Sequence, residues 1–266
     1  MKFIFISNDP IKIAAAEKAS IDYVMIDLEI LGKEERQKHR DTLISKHTLD
    51  DIKVASNILS NSKIIARINP LYSGTDYEID EAIKYGAKAI MLPMFEYPEE
   101  VEVFLNSVAG RAETILLFET PKALINRDLI LELKGLNRVH LGLNDLHLAM
   151  NLDFMFDLFP SGIVEMFSNS CINSNIDFGI GGIAPIGSGL INSKYILTEH
   201  IRLQSSCTIL SRDFHKPADN YCDFLNKSMT EIREEIFKSN KLDIDTFMKN
   251  KLILGKLIRK VSKSKR

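Results

Sequence analysis

The chain has 266 residues, 45% of them hydrophobic, enough to bury a large core without disulfides or a structural metal. Its 36 acidic and 34 basic residues nearly cancel, to a formal charge of -2, which speaks against both a nucleic-acid surface and a disordered acidic chain. Cys171, Cys207 and Cys222 are odd in number and lack metal-ligand spacing, no run approaches the ~20 apolar residues of a membrane span, and the N-terminus lacks a signal-peptide pattern, so a cytoplasmic protein with inert thiols and no membrane contact is expected.

Residues 1–6 (MKFIFI) form a short apolar run rich in β-branched and aromatic side chains, and the Ser-Asn-Asp-Pro that follows carries helix-start chemistry, so a first strand feeds a helix beginning near Asp9. A second strand at 23–29 (YVMIDLE) ends in Asp27 and Glu29, whose spacing of two puts both on one face if the strand persists. The third, 62–69 (SKIIARIN), ends in Arg67 and Asn69 and leads to a helix over 75–86; the fourth, 87–93 (AKAIMLP), is stopped by Pro93 before a helix over 97–109. The fifth, 114–120 (TILLFET), carries Glu119 near its end, and the sixth, 138–145 (RVHLGLND), is read through to Asp145. Helical material around 153–170 precedes a seventh strand, 176–182 (IDFGIGG), tipped by Gly181 and Gly182, and 206–211 (SCTILS) supplies the eighth.

Eight strands that read as buried on both faces, separated by crossover-length segments, predict a (β/α)8 TIM barrel over residues 1–215, with a doubly wound open sheet as the competing arrangement. Residues 219–240 and 243–262 carry helical periodicity without strand signals, so 216–266 is expected as a C-terminal helical extension packing on the barrel or on a neighbouring subunit.

Active sites of such barrels are built at the C-terminal strand ends, where this chain gathers Asp27, Glu29, Arg67, Asn69, Glu119, Asp145, Gly181 and Gly182. Two carboxylates from neighbouring strands make a hard, oxygen-rich site that suits Mg²⁺, with Mn²⁺ or another divalent ion as alternatives, and Glu119 and Asp145 are the expected ligands. Arg67 offers a fork of donors for a substrate carboxylate or an enolate oxygen. The six histidines show no HExxH spacing, which speaks against zinc. His140, of opposite parity to Asp145 on the sixth strand, is expected to be packed or hydrogen-bonded in place. His47 lies in a polar stretch, 31–51, that can fold over the barrel mouth; it is read either as a proton-transfer residue or as a surface or capping residue. Gly181 and Gly182 allow close backbone approach to phosphate or carboxylate oxygens, and with Asn69 they are the candidate cofactor-binding positions. GIGG lacks the spacing of a dinucleotide fingerprint.

VMIDLE, KEERQKHRDTL, ARIN, GAKAIMLP, LLFET and HLGLNDL, in that order, resemble the HpcH/HpaI aldolase and citrate lyase β-subunit superfamily over roughly residues 3–210. The resemblance implies a metal-dependent barrel that makes or breaks a carbon–carbon bond beside a carbonyl, acting on 2-oxo acids or acyl-CoA esters and assembled as a homo-trimer or homo-hexamer. By it Glu119 and Asp145 match the metal-binding acids, Arg67 the arginine that holds the substrate's oxo-acid or acyl oxygens, and Asp27 and Glu29 the acidic motif after strand two. The lyase-like branch carries an aspartate directly after that motif and the aldolase-like branch a histidine, where this chain has Ile30; the proton-transfer role is then moved, with His47 the candidate, or lost. Met94 stands where many lyase-like relatives have a basic residue. The competing functions are an acyl-CoA thioesterase and a non-enzymatic, oxo-acid-binding regulatory protein.

Overall fold

Alternation along each strand decides the architecture. In the computed structural model, which describes residues 1–32 and 47–265, Ile4, Tyr23, Met25, Ile65, Ala89, Met91, Ile115, Leu117 and Cys207 pack together as one buried cluster. Their sequence neighbours, among them Val24, Ile26, Ile64, Ala66, Ile90, Leu116, Phe118 and Val139, join a second, larger one. Successive strand residues point to opposite faces, so the smaller cluster is the barrel interior and the larger one the layer between strands and helices. Both faces are buried, which is why these strands read as unbroken apolar runs.

The strands are β1 (Lys2–Ile6), β2 (Tyr23–Asp27), β3 (Lys63–Arg67), β4 (Ala89–Leu92), β5 (Glu113–Phe118), β6 (Arg138–Leu141), β7 (Asp177–Ile180) and β8 (Cys207–Ile209). They are paired in chain order into a closed parallel barrel, β8 returning to β1 with Lys2 opposite Cys207. The open-sheet alternative is thereby excluded. Register brings Asp27 opposite Arg67, and both share the inward parity of Met25 and Ile65.

Helices α1 (Pro10–Lys18), α2 (Leu49–Ile58), α3 (Thr75–Lys84), α4 (Pro98–Val108), α5 (Pro121–Ile125), α6 (Arg127–Leu131), α7 (Leu143–Ala149), α8 (Ile163–Asn173) and α9 (Ser193–Arg202) fill the crossovers. Asp9 caps α1 by accepting from the amides of Ile11 and Lys12, with Pro10 in the first turn, an arrangement worth about 1 kcal/mol. The terminal helices α10 (Tyr221–Ser239) and α11 (Ile244–Lys263) lie on this barrel's own surface, α10 against α1 and α9 and α11 against α9. No described helix is long and apolar enough to cross a membrane.

One expected boundary fails. β6 stops at Leu141 instead of running on to Asp145, because Gly142 turns the chain and Leu143 opens α7, with Asp145 in its first turn. Parity between His140 and Asp145 therefore carries no meaning. The strand parity that matters links His140 to Arg138, whose guanidinium reaches the interior residue Tyr23; His140 faces inward.

Candidate functional site

The C-terminal mouth of the barrel is organised around one arginine. Arg67, the last residue of β3, donates from Nε to Asp27 Oδ1 at 2.8 Å and from Nη2 to Asp27 Oδ2 at 2.7 Å, a bidentate pair in which a planar fork meets a planar carboxylate. Glu29 Oε2 lies 3.5 Å from the same Nη2. β2 has ended by then, yet Glu29 keeps the inward direction because its own amide donates to Asp27 Oδ1 at 3.3 Å. Burial alone would lower the Arg67 pKa, but the charges of Asp27 and Glu29, the Asp27 hydrogen bonds and the charge of Glu119 overcome it and hold the guanidinium above its ordinary value. Nη1 makes no hydrogen bond among the described residues.

Glu119 follows β5 and is buried. Met94 adopts the left-handed backbone conformation, with φ of 58°, which side chains seldom occupy; its amide donates to Glu119 Oε1 at 3.2 Å. On the other side stands Gly142, where an added Cβ would lie 2.9 Å from Glu119 Cβ and 3.0 Å from Oε2. The absence of a side chain at Gly142 thus lets the start of α7, with half-buried Asp145 in its first turn, close up on Glu119.

Among the described residues no three His, Cys, Asp or Glu side chains cluster as a metal centre. The donor set still fits a hard divalent ion. Mg²⁺ needs only one or two carboxylates and fills its remaining positions with water or substrate oxygens, and the mouth carries three carboxylates, Asp27, Glu29 and Glu119, in charge contact with one guanidinium. Of the two acids expected to hold it, Glu119 follows β5 and Asp145 lies in the first turn of α7.

His47 lies beside this site. Its Nδ1 accepts the Asp27 amide hydrogen at 2.9 Å, and its charge reaches the half-buried His215, whose pKa falls to about 4 through burial, then Lys12, His47 and Arg212. With Nδ1 accepting, a neutral His47 carries its proton on Nε2. The polar motif KEERQKHRDTL, at 33–43, lies outside the described residues.

Asn69 and the glycines have roles within the protein. Asn69 Oδ1 accepts from the amides of Ile30 and Leu31 at 2.9 and 3.0 Å, and its Nδ2 and backbone N–H donate to Glu78 at 2.8 and 3.2 Å. Gly179, the register partner of His140, has no room for a Cβ against that ring, and Gly182 has none against the Ile209 carbonyl, which would be 2.9 Å away. These glycines admit His140 and seat β7 against β8. His140 is packed, as its position in β6 suggested, but among the described residues neither ring nitrogen has a hydrogen-bond partner. Burial, with the charges of His200 and Arg138, pushes its pKa to about 3.

Two participants were not legible in the sequence: Glu78, which reads as an ordinary acid on a surface helix, and the Met94 amide, which has no side-chain signature at all. Pro93 before Met94 marks a chain reversal there, the only available hint.

Comparison with known proteins gives concordant findings. The sequence profile described as HpcH/HpaI aldolase/citrate lyase matches residues 2–154, more than half of the chain. No curated protein matches. Among solved structures, an HpcH/HpaI aldolase from Desulfitobacterium hafniense DCB-2 superimposes with a TM-score of 0.60 at 13% identity, over 91% of this chain and 94% of that one. An HpcH/HpaI aldolase/citrate lyase family protein from Burkholderia cenocepacia J2315 gives 0.63 at 12% identity, over 88% and 93%. The citrate synthase SbnG gives 0.59 at 15% identity, over 90% and 94%. At such identities the likeness shows the fold alone.

Proposed function

The chain belongs to the HpcH/HpaI aldolase/citrate lyase family, and from that premise we propose that it is a divalent-metal-dependent carbon–carbon lyase or aldolase acting through the enolate of a 2-oxo acid or an acyl-CoA ester. Membership supports carbon–carbon lyase or aldolase chemistry in general. The observation that carries the finer reading is the Arg67 fork, clamped by Asp27 and acted on by the charges of Glu29 and Glu119.

Asp27 occupies Nε and Nη2 of Arg67 and fixes the guanidinium plane, so the donors of Nη1 remain for an oxo-acid carboxylate or an enolate oxygen. Glu29 adds charge that keeps the fork protonated. The Met94 amide pins Oε1 of Glu119, and Oε2 lies beside Gly142, which precedes the helix carrying Asp145. A divalent ion held there would polarise the substrate carbonyl and lower the cost of the enolate. His47 meets the site through Nδ1, which accepts the Asp27 amide hydrogen, so that nitrogen acts as a base only by giving up that bond.

The test is Glu119→Gln, read with Mn²⁺ as a paramagnetic probe and by turnover of a 2-oxo acid and acyl-CoA panel. Mn²⁺ affinity is expected to fall by at least about tenfold and turnover by about 10³-fold, with the fold retained; unchanged binding and turnover overturn the assignment. Aldehyde among the products separates aldol cleavage from thioester hydrolysis. Ile30, 54% exposed where relatives carry an acid or a histidine, favours the second reading, a regulatory barrel that binds oxo acid without turnover, and that reading predicts oxalate binding with no product across the panel. Family likeness also underlies the expected homo-trimer or homo-hexamer, measurable by light scattering.

A further inference from the structure

Asn69 and Glu78 form a buried pair that the chemistry above does not use. Glu78 stands in the first turn of α3, 5% exposed, with no cationic partner among the described residues, and burial raises its pKa against the bonds from Asn69 that lower it. A carboxylate in that setting is costly, and an apolar side chain would suit the inner face of α3 better.

The hydrogen bonds give the position a use. Glu78 Oε1 accepts from Asn69 Nδ2 and Oε2 from the Asn69 backbone N–H. A carboxylate only accepts, whereas a carboxamide has one donating and one accepting end. Glu78 therefore decides which way Asn69 points: its NH₂ must face α3, so its oxygen must face the loop, where it accepts from Ile30 and Leu31. That loop starts at Leu28, whose amide donates to the Arg67 carbonyl at 2.8 Å, and it carries Glu29 against the Arg67 guanidinium.

We propose that Glu78 is a positioning residue which, by fixing the polarity of Asn69, holds residues 29–31 in place against Arg67 and so sets the shape and charge of the oxo-acid subsite. The subsite role rests on the functional reading above; the clasp itself does not.

The experiment exchanges donors for acceptors. In Glu78→Gln one carboxylate oxygen becomes a donor facing a donor of Asn69; in Asn69→Asp two carboxylates confront each other. In the double variant the match returns: the new amide NH₂ donates to the new carboxylate, its carbonyl accepts the backbone N–H of position 69, and the other aspartate oxygen still accepts from Ile30 and Leu31. Amide hydrogen exchange at Ile30 and Leu31 and the affinity for oxalate in the presence of Mg²⁺ are measured in the full chain, with the denaturant midpoint as control. Each single variant is expected to speed exchange and weaken oxalate roughly tenfold, and the double variant to return both to within about threefold of the original. Unchanged exchange in the single variants, or a double variant as loose as they are, overturns the clasp. Where a single variant fails to fold, a folded, oxalate-binding double variant supports it and an unfolded one overturns it. If exchange follows the expected pattern but oxalate affinity does not move, the subsite role falls. If the unaltered chain binds no oxalate, the oxo-acid reading falls with that role, while exchange alone still decides the clasp.

Discussion

The barrel holds an arginine at each end of its interior, and the two are treated differently. At the mouth Arg67 is gripped by Asp27 at 2.7 and 2.8 Å with Glu29 and Glu119 in charge contact. At the floor Arg138 reaches the Tyr23 hydroxyl at 3.4 Å, Glu113 at 3.4 Å and Asp177 at 3.5 Å, and its Nε has no hydrogen-bond partner among the described residues. The Asp177 side chain is 61% exposed, so water screens one of the two floor acids. The floor is a loose plug open to solvent at Asp177; at the mouth three buried carboxylates act on a guanidinium that is clamped at short range. Similar residue types at opposite ends are thus held at short range in one place and loosely in the other.

The sharpest way to break this comparison is to exchange each arginine for lysine. Arg67→Lys keeps the charge but loses the two-point fork, and kcat/KM on the responsive 2-oxo acid or acyl-CoA is expected to fall by about 10²- to 10³-fold. Arg138→Lys should leave kcat/KM within about threefold, since its contacts are already long. Equal losses at both positions would mean that the mouth has no special standing.

Removing the floor charge tests the other half of the contrast. Arg138→Met deletes a cation that is 4% exposed and leaves Glu113 and Tyr23 facing each other without it, while Asp177 stays hydrated. Complete loss of a buried ion-pair partner costs about 3–5 kcal/mol. With one acid in water the expected loss in urea-unfolding free energy is smaller, about 2 kcal/mol. A variant as stable as the original would mean that the floor cluster contributes nothing net.

The two ends also differ in how far they could be read from the sequence. Strand number and order followed from apolar runs separated by crossover-length segments, because burial on both faces leaves a continuous signal, whereas an open sheet was set aside only by the pairing of β8 with β1. The sequence placed Asp27, Arg67 and Glu119 at strand ends, and the register of the strands shows the inward parity of Asp27 and Arg67. Asp145 was misplaced because RVHLGL continues the apolar run past Leu141, and only the turn at Gly142 reveals the helix that carries the acid. Glu78 escaped for a different reason: its partner Asn69 is close in sequence, but its burial depends on how α3 lies on β3, which no local pattern encodes. The floor escaped entirely, since Tyr23, Glu113, Arg138 and Asp177 each begin a strand and look like ordinary solvent-facing starts until closure turns them inward.

Between mouth and floor stands His140, one inward position above Arg138, with His200 on α9 near enough for their charges to interact. Burial, joined for His140 by the charges of His200 and Arg138, pushes both histidines from 6.5 to about 3. The folded chain thus keeps both rings neutral where the unfolded chain would protonate them. A base whose pKa is depressed by folding contributes stability that is fully present above the unfolded value and is lost as pH falls toward the folded one. Stability should therefore decline from about pH 6.5 downward. Between pH 7.5 and 5.5 the loss is roughly 1 kcal/mol for each histidine. His140→Met removes one titration and two unpartnered nitrogens at once, so the variant should show a shallower acid slope and no loss of stability at pH 7.5. Urea midpoints across that pH range decide it: a slope unchanged by the substitution would mean that His140 opens to water and a proton in the folded barrel, and the packed interior between the two arginines would have to be redrawn.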